Sequence, residues 1–246
     1  MENEKGRFIV VDGLDGIGKG VIESALVGQI EGEVFDSVQW CKDNPTKRPN
    51  VSMLEGYSGV LTGEPTYSGL GADIRNTLIS NSNRGLFPAS LLIRAYSLDR
   101  EIQMRNFIVP AIRKGYKIIQ SRSLATTLCY QTLNAEDEGL DPVKTREKIL
   151  ANPGNQYQLA NAPDLLIIPT IGDIEELIRR LEKRTKKDDA IFENKEFLKR
   201  AKIPYESDWL RKIFEDHGTQ VTYLDAGISV EESRRQAIEI WKKFIS

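Results

Sequence analysis

FIVVDGLDGIGKG, residues 8–20, is the stretch of sequence that decides the fold. Its first four residues are apolar and mostly β-branched, which predicts a short strand buried on both faces. A glycine-rich loop follows, and apolar residues at helical spacing then predict a helix from Val21 to Ile30. A strand, a loop with the pattern G-x-x-x-x-G-K and a helix, in that order, are typical of a phosphate-binding loop.

The residue types in this loop suit phosphate chemistry. Glycines let backbone N–H groups turn toward phosphate oxygens, the helix N-terminus adds partial positive charge, and Lys19 can reach the terminal phosphates. The predicted nucleotide-binding residues are Gly13, Asp15, Gly16, Ile17, Gly18, Lys19 and Gly20. Gly20 stands where the motif has a Ser or Thr hydroxyl that ligates Mg²⁺. A glycine turn that binds no ligand is the alternative interpretation of this stretch.

Composition narrows the class of protein. The chain has 246 residues, 28% of them charged, and a formal net charge of −2, which suits one large α/β domain and gives no support for a nucleic-acid partner. The two cysteines, Cys41 and Cys129, have no metal-type spacing and predict no disulfide scaffold. No leader-like or membrane-spanning apolar run is present, so we expect a cytoplasmic protein that does not insert into membranes.

Further apolar segments alternate with helical patterns along the chain. Strands are predicted at 59–62, 116–120, 164–169 and 221–224, with a possible strand at 34–40, and helices at 72–80, 88–114 with a break near Pro110, 173–185 and 230–244. This alternation predicts a parallel sheet between two layers of helices, with ligands at the carboxyl ends of the strands. The polar segment 41–57, which contains two prolines, is predicted to be a surface excursion.

Polar groups directly follow four of the predicted strands. They are the glycine loop, Glu64, Arg122 and the Pro169-Thr170 pair. Because parallel strands end at the same edge of a sheet, we expect these groups to converge there. A phosphate loop and arginines at one edge indicate a protein that holds two phosphorylated groups at once, as phosphoryl transfer between nucleotides requires.

Beyond the opening strand and loop, three stretches resemble the thymidylate kinase family. TGEPTYSGLGADIR at 62–75 resembles its Thr-Arg-Glu-Pro-Gly-Gly segment and Gly-x-x-Ile-Arg helix, YSLDR at 96–100 resembles Phe-x-x-Asp-Arg, and Arg122 with TTLCYQ at 126–131 resembles Asp-Arg-Tyr and Ser-x-x-Ala-Tyr-Gln. The resemblance implies a P-loop fold with a five-stranded parallel sheet, three layers and a helical lid at about 180–203. It also implies ATP-dependent phosphorylation of a deoxynucleoside monophosphate, dTMP to dTDP first of all, with Mg²⁺ and by a homodimer.

The resemblance assigns roles to individual residues. The implied acceptor-site residues are Tyr96 stacking on thymine, Arg100 bonding the base, Thr127 and Gln131 facing it, Tyr130 packing on the sugar, Asp15 near the 3′-hydroxyl, Arg122 on the phosphate, and Glu64 and Arg75 beside them. Arg180 and Arg184 in the lid would stabilise the transferring phosphoryl group together with Lys19. Asp12 and Glu64 would hold Mg²⁺ through water.

Three positions depart from the family pattern and keep alternatives open. Gly20 lacks the metal-binding hydroxyl, Gly63 replaces an arginine that contacts phosphate, and Ser121 replaces an aspartate that holds the metal through water. One lost donor at a transition-state site can cost about 10²–10³ in rate. The alternatives are a kinase for another small nucleotide or nucleoside acceptor, and a nucleotide-binding relative that has lost catalysis.

Without the resemblance, the same residues have simpler interpretations. Arg100 would belong to a solvated salt-bridge face of a charged helix. Tyr96 and Tyr130 would be core aromatics, and Asp15 would cap a turn. The basic run near Arg180 would be a helix end stabilised by the helix dipole.

Overall fold

A computed structural model describes residues 6–83, 85–182 and 195–245. Within them lie the strands β1 (Arg7–Val11), β2 (Val34–Asp36), β3 (Gly59–Gly63), β4 (Lys117–Ser121), β5 (Leu165–Thr170) and β6 (Gln220–Asp225). They form one parallel sheet in the order β2-β3-β4-β1-β5-β6. The parallel sheet is confirmed, but the count of five strands was wrong, because the possible strand near 34 pairs with β3 as an edge strand.

Helices flank this sheet. In the described residues they are α1 (Lys19–Val27), α2 (Ser37–Asp43), α3 (Leu70–Asp73), α4 (Ala89–Gln103), α5 (Val109–Arg113), α6 (Leu124–Thr126), α7 (Thr132–Asp137), α8 (Pro142–Leu150), α9 (Pro153–Ala160), α10 (Ile174–Glu182), α11 (Lys195–Tyr205), α12 (Asp208–Glu215) and α13 (Val230–Ile245). Three π-helical turns adjoin them, at Ile74–Leu78, Met104–Ile108 and Thr127–Gln131. None of these helices combines the length and the apolar composition needed to cross a bilayer.

Two strands at the centre of the sheet, β1 and β5, contain continuous apolar runs. Phe8 to Val11 of β1 and Leu165 to Ile168 of β5 are at most 1% exposed. Burying a Val, Ile or Leu side chain contributes about 1.5–3 kcal/mol, so continuous apolar runs favour the central positions. Because β1 lies between β4 and β5, the loop that follows it emerges at the middle of the carboxyl edge. The sheet thus places the predicted phosphate loop where open α/β sheets bind ligands.

Two predicted elements differ in detail from the structure, and one helix was not predicted. The possible strand at 34–40 ends at Asp36, whose side chain accepts a hydrogen bond from the Gln39 amide and caps α2. The helix predicted to break near Pro110 is interrupted just before it by the π-helical turn at Met104–Ile108, and Pro110 lies in the first turn of α5, where its missing N–H is tolerated. Ser207 caps α12, a helix that the sequence interpretation missed.

The segment 41–57, predicted to be a surface excursion, consists mostly of exposed and half-buried residues and contacts the rest of the domain at a few points. Cys41 and Leu54 are buried, and Tyr116 donates a hydrogen bond to the Leu54 carbonyl at 2.9 Å. Arg48 reaches across to the Asp99 carboxylate at 3.1 Å. Of the predicted lid at 180–203, residues 183–194 lie outside the described residues.

Candidate active site

A cleft of about 550 Å³ opens at the carboxyl ends of β1, β3 and β4. The predicted site residues that line it are Asp15, Gly16, Gly18, Lys19, Gly20, Glu64, Arg75 and Arg122. Register pairs Val11 with Ser121 and Ser121 with Gly63, so the three strands end at one level. The phosphate loop and two guanidinium groups therefore share one cavity.

The loop presents unpaired donors to this cavity. Within the described residues, the backbone N–H groups of Gly16, Gly18, Lys19 and Gly20 have no protein acceptor. Nζ of Lys19 donates to the carbonyl oxygens of Gly13 and Leu14 at 2.9 and 2.7 Å. Burial and Arg122 lower the pKa of Lys19 to about 8, and an anion bound here would favour the protonated form. Such a loop at the start of a helix is a cradle for phosphate oxygens.

The remaining predicted loop residues contribute through the backbone. Ile17 is buried in the core, and a Cβ added to Gly13 would lie 3.2 Å from the Pro169 ring. Gly16 has a φ of +79°, and a Cβ on it would lie 2.5 Å from a methyl carbon of Leu181. Leu181 of α10 therefore packs directly over the loop, at a place where only a glycine fits.

Arg122 and Asp15 form an ion pair at the wall of the cleft. Arg122 has a φ of +66°, in the left-handed region, at a cost of about 1–3 kcal/mol. Its guanidinium donates to the Asp15 carboxylate, which also accepts from the Tyr130 hydroxyl at 3.2 Å. Burial opposes ionisation, but Arg122 and Lys19 bring the pKa of Asp15 below its usual value. A strained backbone thus holds a guanidinium that a phosphate dianion could draw away from Asp15.

Arg75 is the second guanidinium of the cleft. It donates to the Pro65 carbonyl oxygen from Nε at 3.0 Å and from Nη2 at 2.6 Å. Its Cζ lies 3.7 Å from the centre of the Tyr67 ring, which also lines the cleft. Stacking and two hydrogen bonds fix the orientation of this group, as anion recognition by an arginine requires.

Arg100 lies inside the protein, not in the cleft. It is 1% exposed and donates to Glu64 at 2.9 Å, to Thr127 at 3.0 Å and to the Asn155 side chain. Gln120 donates to the other Glu64 oxygen at 3.2 Å. Burial raises the pKa of Glu64 to about 7, although Arg100 opposes the shift. The interpretation of Arg100 as a solvated salt-bridge residue was therefore wrong, and its predicted bond to a base stays a prediction.

The other predicted base and sugar contacts form a buried layer behind Arg122. Tyr96, Thr127, Tyr130 and Gln131 are at most 6% exposed and do not line the cleft. Burial raises the pKa of Tyr96 to about 12, and Arg122 and Arg75 oppose that shift, which places the phenol close to both cations. This layer adjoins the acceptor side of the cleft, with its side chains packed together.

Asp12, which the sequence analysis predicts to hold Mg²⁺ through water, has protein donors on both of its oxygens. It is fully buried, and Oδ1 accepts from Thr126 at 2.6 Å and from Tyr205 at 2.8 Å. Oδ2 accepts from Ser123 at 2.8 Å and from the Thr126 amide at 3.1 Å. Both oxygens are saturated by protein donors, so Asp12 fixes the segment after β4. Glu64 lines the cleft and accepts from Arg100 and Gln120, and the metal role predicted for it stays a prediction.

Arg180 is bound to the segment after β6 in this structure, and its predicted catalytic role stays a prediction. Its guanidinium donates to the carbonyl oxygens of Ala226 at 2.8 Å and Gly227 at 3.3 Å, after β6, and to Glu176 at 3.1 Å. The i, i+4 pairing with Glu176 and the nearby carbonyls hold it there. Arg184, the other predicted lid residue, lies outside the described residues.

The three positions that depart from the family pattern lie together and leave open space. A Cβ on Gly63 would lie 3.5 Å from the Ser121 Cβ, and a Cβ on Gly20 would meet no heavy atom within 4 Å. Glu23 of α1 lines the same part of the cleft, and its Oε1 is buried with no hydrogen-bond partner within the described residues. Burial raises the pKa of Glu23, although the Ser121 hydroxyl, Lys19 and Arg122 each act to lower it. In the same described residues, no group of three or more His, Cys, Asp and Glu side chains is arranged to hold a metal ion.

Sequence reasoning missed several residues that shape the site. Asp99 accepts from the Thr66 amide at 2.7 Å and the Thr66 hydroxyl at 2.8 Å, which fixes the segment after β3. Arg48 joins this cluster, and Asn155 binds Arg100. Asp99 precedes Arg100 in the YSLDR stretch, which was a usable signal. For Arg48 and Asn155 the sequence offered none, because their partners are 51 and 55 residues away.

Comparisons with known proteins agree with this geometry. A model of the family described as thymidylate kinase matches residues 52–237. The thymidylate kinase of Prochlorococcus marinus strain MIT 9515 is 29% identical over 177 residues, covering 72% of this chain and 72% of the relative. That of Synechococcus sp. strain CC9605 is 28% identical over 198 residues, covering 80% and 81%. The solved thymidylate kinase of Candida albicans shares the fold, with a TM-score of 0.67, 19% identity and coverage of 97% of this chain and 92% of that one.

Proposed function

The chain belongs to the thymidylate kinase family and is a nucleoside monophosphate kinase, and we propose that its cleft transfers a phosphoryl group from ATP to dTMP. One observation carries the proposal. The phosphate loop after β1 and Arg122 after β4 line one cavity at the same edge of the sheet. Two anionic groups can therefore be held side by side, which is the main requirement of phosphoryl transfer.

The donor side of the cleft is the glycine loop. Its free N–H groups and Lys19 would bind the β- and γ-phosphates of ATP. In the structure the Lys19 ammonium is held by two loop carbonyls, and within the described residues it forms no ion pair that a phosphate would have to displace. Such preorganised donors stabilise developing charge because they need little reorganisation during the reaction.

The acceptor side is built from Arg122 and Arg75. Arg122 would exchange its contact with Asp15 for the monophosphate, and the freed Asp15 carboxylate, held by Tyr130, could then accept a sugar hydroxyl. Arg75, stacked on Tyr67, would bind the same phosphate from the opposite wall. The two guanidinium groups neutralise the acceptor, which lets it approach the anionic donor.

ATP acts in this family together with a metal ion, and we infer that Mg²⁺ accompanies it here. When bound, Mg²⁺ neutralises charge on the transferring phosphoryl group. Of the two acids predicted for it, Asp12 has two protein donors on each oxygen, whereas Glu64 lines the cleft and has one donor on Oε1. The homodimer and the cytoplasmic location stay predictions.

A coupled assay tests the proposal. The purified protein is supplied with ATP, Mg²⁺ and each of dTMP, dUMP, dCMP, dAMP and dGMP, and ADP release is followed. Turnover with dTMP that Lys19→Met abolishes supports the proposal. Turnover with another monophosphate alone would identify a different acceptor. Calorimetric binding of ATP or dTMP without any turnover would identify a nucleotide-binding relative that has lost catalysis.

A further inference from the structure

Four acids line the cleft, and one of them has a buried oxygen that accepts no hydrogen bond within the described residues. Asp15 is paired with Arg122, Glu64 with Arg100, and Asp36 caps α2 by accepting from the Gln39 amide at 2.9 Å. The fourth is Glu23, whose Oε1 is buried without a hydrogen-bond partner in the described part of the chain. Leaving a buried oxygen unsatisfied costs about 1–3 kcal/mol, so its retention in a cleft calls for an explanation.

Glu23 lies near Gly20 and Ser121, the two positions at which this chain lacks the metal-binding side chains of the family pattern. Glu23 follows Gly20 by three residues and Lys19 by four in α1, so all three lie on one face of the helix. The carboxylate also lies close enough to the Ser121 hydroxyl and to Lys19 to interact with both. Glu23 thus extends from the helix toward the place where the family carries an aspartate.

We propose that Glu23 is the acid that orders Mg²⁺ with the nucleotide in this chain, in place of the acid missing at Ser121. The inference rests on the proposed kinase function. Mg²⁺ on a nucleotide keeps several waters and needs only one or two carboxylates from the protein. The open space over Gly20 has room for such waters, since no heavy atom lies within 4 Å of a Cβ added there. A carboxylate oxygen with no protein donor is then available to accept from metal-bound water.

Binding calorimetry measures this role without turnover. A non-hydrolysable ATP analogue is titrated into the protein with Mg²⁺ and again with a chelator, and the ratio of the two Kd values gives the contribution of the metal. In the wild type we expect Mg²⁺ to strengthen binding. Outer-shell ligands typically change metal affinity 10–100-fold, so Glu23→Gln should reduce the ratio about tenfold or more, with little change in the metal-free Kd.

Two further variants sharpen the test. Asp36→Asn removes an acid from the same cleft but keeps a residue that can cap α2, and it should leave the ratio unchanged. Adding Ser121→Asp to Glu23→Gln should restore most of the ratio, because the acid returns to the family position. If Glu23→Gln does not fold, Glu23→Ala takes its place, since alanine needs no hydrogen bond.

The outcomes separate the two proposals. Analogue binding that strengthens with Mg²⁺ equally in the wild type and in the Glu23 variant overturns the role of Glu23 and leaves the kinase proposal intact. An equal reduction of the Kd ratio in Glu23→Gln and in Asp36→Asn also overturns it, because the total negative charge of the cleft, and not Glu23 itself, would then be the cause. No binding of the analogue by the wild type, with or without Mg²⁺, overturns the nucleotide site itself and the inference with it.

Discussion

Replacing Gly20 by serine should make this protein a faster kinase. Gly20 is the second residue of α1 and lines the cleft, and a Cβ built on it meets no heavy atom within 4 Å. A serine side chain therefore fits without displacing a neighbour. Its hydroxyl would stand where phosphate loops provide a ligand to the metal that accompanies the nucleotide.

The size of the gain follows from what one such contact contributes. A single donor at a transition-state site is worth about 10²–10³ in rate, and an outer-shell metal partner about 10–100. Because Glu23 lies on the same helix face, part of this contribution is already present, so we expect the lower range. Gly20→Ser should raise kcat about 10–100-fold, which is about 1.4–2.7 kcal/mol of transition-state stabilisation.

Steady-state kinetics across a Mg²⁺ titration measures this effect. Gly20→Ser should raise kcat and lower the Mg²⁺ concentration that gives half the maximal rate. Gly20→Ala is the matched control, because it adds the same Cβ without a hydroxyl and gains at least as much helix propensity as serine does. If alanine raises kcat as much as serine does, or if serine changes only the melting temperature, the reasoning from the missing hydroxyl is refuted.

Three further changes test other parts of the site. Arg122→Lys replaces a guanidinium, which can donate two parallel hydrogen bonds to a phosphate, by an ammonium group. It should raise KM for dTMP about 10–100-fold and leave KM for ATP unchanged. An equal rise in both KM values would show a general disturbance of the cleft. Because Lys19 has a pKa of about 8 and binds phosphate when protonated, the metal-free affinity for an ATP analogue should fall by up to about tenfold per pH unit above pH 8, and Lys19→Arg should remove that dependence. Arg100→Gln leaves Glu64 buried without its cation and should lower the free energy of unfolding in urea by about 3–5 kcal/mol. Adding Glu64→Gln should recover part of that loss, and no recovery would mean that the Arg100 contacts to Thr127 and Asn155 dominate.

The local sequence was enough to predict the strand, loop and helix that open the chain. The apolar run at 8–11 fits a central strand, and Gly18, with a φ of +100°, permits the turn into α1. The position of Arg122 followed from the parallel sheet alone, because a residue directly after β4 must lie at the edge where β1 ends. These features depend on neighbouring residues and on strand order, both of which a sequence pattern records.

Features that depend on partners distant in the chain could not be predicted. Tyr205 donates to Asp12 across 193 residues, and this bond and the one from the Thr126 hydroxyl both fall on Oδ1 of Asp12. Arg180 turns toward carbonyl oxygens at 226 and 227, which carry no signal in their side chains. A motif gives the residue type at a position, but the donors that surround it come from the tertiary structure.

The grouping of the three altered positions bears on whether the site has lost catalysis (an eroded site) or keeps it with changed residues (an adjusted site). Ser121 and Gly63 are register partners, and the resemblance puts an aspartate and an arginine at these two places, so one negative and one positive charge are missing side by side. Losing both together leaves the summed charge of the two positions at zero, whereas losing either alone would change it. The Asp15–Arg122 pair and Lys19 are still in place. A site that kept these groups, has open space at Gly20 and places a Glu23 oxygen without a hydrogen bond in the described residues beside it is arranged as an adjusted phosphoryl-transfer site, because the groups that bind phosphate remain.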